Sequence, residues 1–339
     1  HGHDSVACAK HAPITVASML ELAADLVPLI DAGVPVAAVT VTAVVRSAPR
    51  GVGATLAVTR DARVIGSISG GCVESDAVML GLDALRTGTV RRARFGFGDD
   101  DAIAPIAAGL ACGGAVDVVA YRVDAAHRDA LIAARDGREA SLRLELDGEP
   151  LVLHRPAPPR LIILGAGEHA AALCRVGAAA GFAVTVCDDW ALLVTRDRFP
   201  DATDLVVGAP HEVLAALPAP DERTAVCVLT HDERLDVPAI RVALPLPVGF
   251  VGAMGARATV SRRAALLRAA GVTDAELSRL HSPLGLDLGG RSPEETALSV
   301  IAEIVASRNA ADARPLRDAG ERRLHAIAGG SASCAVRSA

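Results

Sequence analysis

Cys72 stands where a reactive thiol would be useful, because it follows Gly70 and Gly71 and precedes Glu74 at the predicted start of a helix. Adjacent glycines allow positive φ angles and let a ligand approach the backbone closely. The first amides of a helix lack partners within the helix and favour an anion. A thiol at this position ionises more readily than usual, so the pattern predicts a nucleophile or a metal ligand.

Cys112 is the second candidate thiol, because it too adjoins a pair of glycines. For both thiols the alternative is structural: the glycines make a tight turn and the cysteine is a small buried residue. The other cysteines lie in apolar segments or near the chain ends and are expected to be core or tail residues: Cys8, Cys174, Cys187, Cys227 and Cys334. The absence of a CxxC pair among the 7 cysteines favours reduced thiols.

The second half of the chain carries a glycine-rich turn typical of nucleotide binding. An apolar strand leads into Gly165 and Gly167, a helix containing Ala170 follows, and the next strand ends on Asp188. A dinucleotide fold places a phosphate at the start of that helix and a ribose hydroxyl on an acid about 20 residues further on. The sequence therefore predicts a Rossmann-type unit that binds a nucleotide or phosphate at these four residues. The alternative role of the glycines is close packing of helix against strand.

Three polar residues, Thr230, His231 and Asp232, follow another apolar strand. Since the carboxyl ends of parallel strands meet at one edge of a sheet, we expect these residues to face the same crevice as the glycine-rich turn. His231 is the candidate acid or base, with local capping as its alternative role. Arg50, in a Gly/Pro-rich loop of the first half, suits bidentate binding of a phosphate, and its alternative role is that of an exposed loop charge.

The order of these elements predicts two domains in an α/β protein, since 339 residues exceed one ordinary domain. We predict an N-terminal mixed α/β domain at residues 14–153 and a stiff, proline-rich linker at 154–159. A Rossmann-like domain with a parallel sheet and C-terminal helices is predicted at 160–310. For residues 311–339 we predict a weakly ordered tail.

The charge and hydropathy of the chain argue against nucleic acid and membrane partners. The net charge is −6 without long basic runs, which offers no electrostatic footprint for a polyanion. No apolar run approaches the roughly 20 residues that span a bilayer, and residues 1–13 lack the pattern of a signal peptide. We therefore expect a cytoplasmic protein, and its apolar, aromatic-poor segments favour a homodimer.

Several separated motifs together resemble one family, the XdhC/CoxI accessory proteins of molybdenum hydroxylases such as xanthine dehydrogenase. In the first half they are the strings 47–51 (SAPRG), 66–74 (GSISGGCVE) and 112–114 (CGG). In the second half they are the glycine-rich turn, the Asp188–Asp189 pair and the strings 198–200 (RFP), 230–232 (THD), 250–257 and 283–303. The resemblance covers most of the chain.

The resemblance implies a two-domain protein that binds molybdenum cofactor, in its simple or a dinucleotide form. It also implies that the protein supports sulfuration of the cofactor with a cysteine desulfurase and delivers it to the apo-hydroxylase. The Gly165 turn would then suit the phosphate, and thiolates of Cys72 and Cys112 would suit molybdenum or a transferred sulfur. Such a protein is a cofactor-binding chaperone without turnover of its own.

Two other functions stay open from the sequence. The first is an NAD(P)-dependent oxidoreductase that uses the same turn and Asp188, with His231 as acid or base. It leaves the cysteine-bearing domain unexplained. The second is a scaffold that only docks partners.

Overall fold

The computed structural model describes residues 19–45, 48–96 and 114–318. The chain divides into two compact units, one formed by the residues up to Ala157 together with those from Pro315, and the other by Pro158–Arg314. Near this division, one strand ends at Arg155 and the next begins at Arg160. The predicted linker, 154–159, therefore contains the end of a strand. Most of the predicted tail lies outside the described residues.

The first unit contains a five-stranded antiparallel sheet in the order β3-β2-β1-β5-β4, with a separate hairpin of β6 and β7. Its strands are β1 (Val36–Val45), β2 (Thr55–Thr59), β3 (Val64–Gly66), β4 (Arg91–Gly96), β5 (Ala115–Val123), β6 (Ala140–Leu146) and β7 (Glu149–Arg155). Its helices are α1 (Ala23–Asp31), α2 (Glu74–Thr87) and α3 (Arg128–Arg135), and 3-10 turns lie at Met19–Leu22 and Ala125–His127.

The central strand β1 is covered on both faces. Val36 and Ala38 pack in a cluster with α1 and α3, whereas Ala37 and Val39 pack in a second cluster beneath α2. Side chains alternate between the two faces of a strand, so a strand covered on both sides is apolar along its length. This explains the run of valine and alanine in β1. The turn before α2 therefore leads into a helix that packs on a buried face of the sheet.

The second unit is a six-stranded parallel sheet in the order β10-β9-β8-β11-β12-β13, as predicted for a Rossmann-like domain. Its strands are β8 (Arg160–Leu164), β9 (Ala183–Asp188), β10 (Asp204–Val207), β11 (Thr224–Val228), β12 (Phe250–Ala253) and β13 (Leu280–His281). Its helices are α4 (Glu168–Ala179), α5 (Pro210–Ala215), α6 (Glu233–Ala243), α7 (Arg257–Ala269), α8 (Asp274–Leu277) and α9 (Pro293–Arg308).

Helices cover both faces of this sheet. Leu161 and Ile163 of β8 pack against α4 and α9, and Ile162 and Leu164 pack against α6 and α7. The chain runs from β8 through β9 to β10 on one side and then continues at β11 on the other, so the strand order reverses between β8 and β11. In an open parallel sheet, a crevice forms beyond the carboxyl ends of the strands at this point.

Within the described residues, no helix is both long enough and apolar enough to cross a bilayer.

Candidate functional site

The turn at Gly70 and Gly71 is closed by the side chain of Glu74, the first residue of α2. Its carboxylate accepts hydrogen bonds of 2.7 to 2.9 Å from the backbone amides of Ser69, Gly70 and Gly71. It also accepts from the hydroxyls of Ser67 and Ser69. The glycine φ angles of +82° and +126° aim successive amides at this one carboxylate. The chain's own anion thus occupies the position at which the sequence predicts an external one.

These hydrogen bonds make Glu74 a strong acid. Partial burial acts to raise its pKa, but the bonds from the hydroxyls of Ser67 and Ser69 and from the amides of Ser69 and Gly71 lower the pKa from 4.5 to about 2. Glu74 is therefore ionised at neutral pH, and its charge stabilises the turn.

Cys72 is exposed beside this turn, and its amide donates to the hydroxyl of Ser69 at 3.0 Å. Arg50 is half-buried and donates to the carbonyl of Ser67 at 2.6 Å, so it helps to hold the same turn. Cys112 lies outside the described residues, and the pairing of the two thiols stays a prediction. In the part of the chain that the structure describes, no group of three or more His, Cys, Asp or Glu side chains is arranged to hold a metal ion.

Three further cysteines, Cys174, Cys187 and Cys227, are buried in the second unit, as predicted for core residues. Burial raises the pKa of the Cys174 thiol to about 11 and that of Cys187 to about 12. The pKa of Cys227 is raised in the same way. These thiols are therefore neutral packing groups.

In the second unit, Gly165 permits the close approach of two strand ends. Its φ is +109°, and a Cβ there would lie 2.9 Å from the carbonyl carbon of Leu229 and 3.0 Å from the amide nitrogen of Thr230. Its own amide donates to the carbonyl of Cys187 at 2.7 Å. Gly167, by contrast, is the N-cap of α4 with φ −78° and has open space around it. Gly165 thus serves packing, whereas Gly167 leaves room at the helix start.

Asp188 binds the glycine-rich turn itself. One carboxylate oxygen accepts from the amide of Ala166 at 2.8 Å, and the other accepts from the amide of Trp190 at 3.0 Å. Arg198 donates to the carbonyl of Ala166 at 3.0 Å. Ala170 is buried in the core of the unit. The acid predicted to bind a ribose is therefore engaged with the backbone on both oxygens.

The three polar residues after β11 have different partners. The hydroxyl of Thr230 donates to Asp236 in α6, and Asp232 caps the same helix by accepting from the amide of Arg234 at 2.9 Å. The guanidinium of Arg234 lowers the pKa of Asp232. His231 is exposed, adopts a positive φ of +59°, and lines a pocket.

This pocket has a volume of about 390 Å³ and lies beyond the carboxyl ends of β8, β11 and β12. It is bordered by the start of α4, the loops after β11 and β12, the first turns of α7, the loop before α9, and α9. Its polar side chains are His169, His231, Thr259, Arg263 and Thr296, and no carboxylate lines it among the residues that the structure describes. The arrangement offers hydrogen-bond donors at the crevice that the strand order predicts.

Arg263 is the most deeply buried of these residues, with 1% of the surface of the whole residue exposed. Its two terminal nitrogens are held by the carboxylate of Asp236 at 2.9 Å, the carbonyl of Met254 at 2.7 Å and the hydroxyl of Ser282 at 3.2 Å. Its Nε is buried without a hydrogen-bond partner among the described residues. Buried charges are stable in proteins when they are paired, and Asp236 supplies that pair.

Two family models match this chain. The model described as the XdhC Rossmann domain matches residues 161–304, and the model of the XdhC and CoxI family matches residues 29–96. Together these ranges cover more than half of the chain. The chain belongs to the XdhC and CoxI family.

Relatives of this XdhC and CoxI family member are found in two bacteria. The molybdenum cofactor insertion chaperone PaoD of Escherichia coli is 26% identical over 80% of this chain and 82% of its own length. A Bacillus subtilis protein described as a probable subunit of xanthine dehydrogenase is 28% identical over 79% of this chain and 92% of its own length. The Escherichia coli protein YqeB is 28% identical over 76% of this chain, which spans 40% of YqeB.

A solved structure described as a xanthine dehydrogenase from Bacillus halodurans shares the fold, with a TM-score of 0.70 over 91% of this chain and 99% of that chain. The two sequences are 21% identical. The predicted fold class, a mixed α/β domain followed by a Rossmann-like domain with C-terminal helices, is confirmed.

The predicted site residues of this family member separate into two groups. Arg50, Gly70, Gly71, Cys72 and Glu74 share the turn before α2. The others surround the carboxyl edge of the parallel sheet: Gly165, Gly167, Ala170, Asp188, Thr230, His231 and Asp232. Of this second group, His231 lines the pocket.

Arg263 and Thr259, which lie on α7, are not among the site residues that the sequence predicts. The basic composition of this helix is typical of a solvated surface. The available signal is the spacing of Thr259, Arg263 and Leu267, because residues four apart share a face of a helix and Leu267 is buried. His169 and Thr296 carried no comparable signal.

Proposed function

We propose that this chain is an accessory factor that binds the molybdenum cofactor and delivers it to the apo-form of a molybdenum hydroxylase. Support comes from relatives named as a molybdenum cofactor insertion chaperone and as part of a probable xanthine dehydrogenase. The observation that carries the proposal is the pocket at the carboxyl edge of the parallel sheet, whose described lining residues offer donors and include no carboxylate.

The pocket suits a pterin that bears a phosphate. Its volume of about 390 Å³ falls within the range of about 300 to 1,000 Å³ that is typical of small-molecule sites. Donors for an anionic group are the Nε of Arg263, which has no hydrogen-bond partner within the described part of the chain, and the start of α7, whose N-cap residue Ala256 provides no side-chain cap. When bound, the cofactor supplies a molybdenum centre for the client enzyme. The residues of this chain would hold its pterin and phosphate and exclude water.

We also propose that Cys72 supports sulfuration of the cofactor together with a cysteine desulfurase, with Cys112 in the same role. The support is that Cys72 presents an exposed thiol beside a turn that Glu74 holds in place. Thiolates are soft ligands that suit molybdenum or a transferred sulfur. An exposed site is also accessible to a partner protein.

An NAD(P)-dependent oxidoreductase is the competing function. It has the Rossmann-like unit in its favour, but both oxygens of Asp188 already accept backbone amides. In that function, His231 would be the acid or base.

The test is to purify the protein from cells that make molybdenum cofactor and to assay bound pterin and bound nucleotide. We expect pterin in the wild type. Bound NAD(P) without pterin would overturn the proposal. Cys72→Ser and Cys112→Ser should keep pterin but lose sulfurated cofactor, measured as activation of an apo-hydroxylase. Ser75→Ala, an exposed change in the first turn of α2, is the matched control and should behave as the wild type.

A further inference from the structure

Helix α7 begins at the pocket without an N-terminal cap. Its N-cap residue, Ala256, has no side chain that can accept a hydrogen bond, and no acidic residue lies in its first turn. Three helices of the same unit are capped by side chains, α6 by Asp232, α8 by Thr273 and α9 by Ser292, whereas α4 and α5 share the lack of a side-chain cap with α7. Since Gly255, Ala256 and Thr259 line the pocket, the unpaired amides of α7 open at its wall.

Arg263 is an independent sign of a ligand at this place. It lines the same pocket with a side chain that is 2% exposed, and its Nε has no partner among the described residues. A Cβ added to Gly255 would come within 3.3 Å of both terminal nitrogens of Arg263, so the guanidinium lies directly against the backbone that enters α7. A buried N–H group without a partner is destabilising unless a bound group accepts its hydrogen bond.

Two amides of the glycine-rich turn after β8 already have partners within the chain. The amide of Gly165 donates to the carbonyl of Cys187, and the amide of Ala166 donates to Asp188. A phosphate placed there would also approach the carboxylate of Asp188. At the start of α7 the amide of Thr259 donates to the carbonyl of Ala256, which leaves the amides before it as donors. Among the described residues that line the pocket there is no carboxylate.

We propose that the pocket binds a phosphate group at the start of α7, with the amides of this helix and the Nε of Arg263 as donors. Thr259 and His169 flank the phosphate, and the rest of the ligand extends toward His231 and Leu284. The phosphate site is inferred from the structure alone. Only the identity of the ligand that carries the phosphate, the pterin cofactor, rests on the proposed function. The same chemistry would hold a nucleotide phosphate or free phosphate.

The test is to give α7 an anion of its own. Ala256 is exposed and has the extended backbone of an N-cap, with φ −68° and ψ 156°, so Ala256→Asp should place a carboxylate on the amides of α7 as Glu74 does at its turn. We expect this variant to melt at the same or a higher temperature. We also expect at least a tenfold loss of affinity for inorganic phosphate by calorimetry and a loss of co-purified pterin.

Three variants separate charge, capping and folding. Ala256→Asn caps the helix without a charge and should lose less phosphate affinity than Ala256→Asp. Ala209→Asp adds the same carboxylate at the uncapped N-cap of α5, outside the pocket lining, and should bind as the wild type. If Ala256→Asp does not fold, Thr259→Val provides the second probe, and we expect a severalfold loss.

The outcomes distinguish this inference from the proposed function. Unchanged phosphate affinity and pterin content in folded Ala256→Asp would overturn the phosphate site while leaving the proposed function intact. A wild type that binds phosphate but never carries pterin, with phosphate binding lost in Ala256→Asp, would support the site and overturn the proposed function. Co-purified nucleotide would identify a nucleotide phosphate as the ligand. A wild type that binds none of these would overturn both.

Discussion

Helices α2 and α7 start in the same way but are completed differently. Neither Val73 nor Ala256, the two N-cap residues, supplies a capping side chain. At α2 the carboxylate of Glu74 folds back onto the amides of the preceding turn. The first turn of α7 contains no acidic residue, and the buried Arg263 lies nearby with an N–H that has no partner in the described ranges. The amides of a glycine-rich turn can thus be satisfied by the chain's own carboxylate, whereas a helix that starts at an alanine keeps its first amides available as donors.

The largest loss of stability should come from removing the carboxylate of Asp236, which pairs with the buried Arg263 near the start of α7. Asp236 and Arg263 are each 2% exposed and form an ion pair at 2.9 Å. Asp236→Asn leaves the buried guanidinium uncompensated, so we expect a loss of about 3 to 5 kcal/mol in the free energy of unfolding, measured by urea denaturation. Asp274→Asn breaks the exposed pair with Arg268 and is the control, which should change stability little. Equal losses in both variants would contradict the assignment.

Glycine substitutions should distinguish packing from turn geometry. Gly165→Ala adds a Cβ against the backbone of Leu229 and Thr230 at a positive φ, so we expect a loss of about 3 kcal/mol. Gly71 also has a positive φ but no atom within 4 Å of the added Cβ, and Gly71→Ala should lose only about 1 kcal/mol. Thermal unfolding monitored by circular dichroism measures both. A larger loss at Gly71 than at Gly165 would contradict the packing role of Gly165.

The closed turn should depend on the charge of Glu74. Glu74→Gln keeps the shape of the side chain but replaces one acceptor oxygen by a donor that faces amides and hydroxyls. Because the carboxylate is partly exposed, we expect a loss of about 2 kcal/mol. Asp76→Asn, in the same helical turn, is the control. We expect it to lower the free energy of unfolding by only about 0.5 kcal/mol. Equal stability of Glu74→Gln and the wild type would show that the turn does not need the anion.

The same residue predicts a pH dependence. The folded-state pKa of Glu74 is about 2, below its ordinary 4.5, so its contribution to stability is present above pH 4.5 and is lost as the pH falls toward 2. The difference in stability between the wild type and Glu74→Gln should therefore shrink across this window. Denaturation curves at several pH values measure it. A difference that stays constant down to pH 2 would contradict the lowered pKa.

The sequence predicted the fold well because its signals are local. An apolar run, a glycine-rich turn, an Ala- and Leu-rich helix and a terminal acid follow one another from Arg160 to Asp188, and each element depends on near neighbours. The alternating burial of β8 follows directly from its apolar run.

The site was harder to predict because its contacts join distant segments. The pairing of Asp236 with Arg263 links residues on two helices, and the pocket draws on segments from His169 to Thr296. The turn before α2 is ambiguous from the sequence for a different reason. Glycines followed by an acid are compatible with an external anion and with an internal one, and only the path of the Glu74 side chain distinguishes the two.

The hydrogen bonds of Arg263 also bear on how the second unit opens. One side chain joins α6 through Asp236, the end of β12 through Met254, and the loop before α9 through Ser282. Movement of any one of these three segments breaks a hydrogen bond to the buried guanidinium. Their amides should therefore exchange with solvent in a single concerted event, and any ligand that binds Arg263 should slow the exchange of all three together.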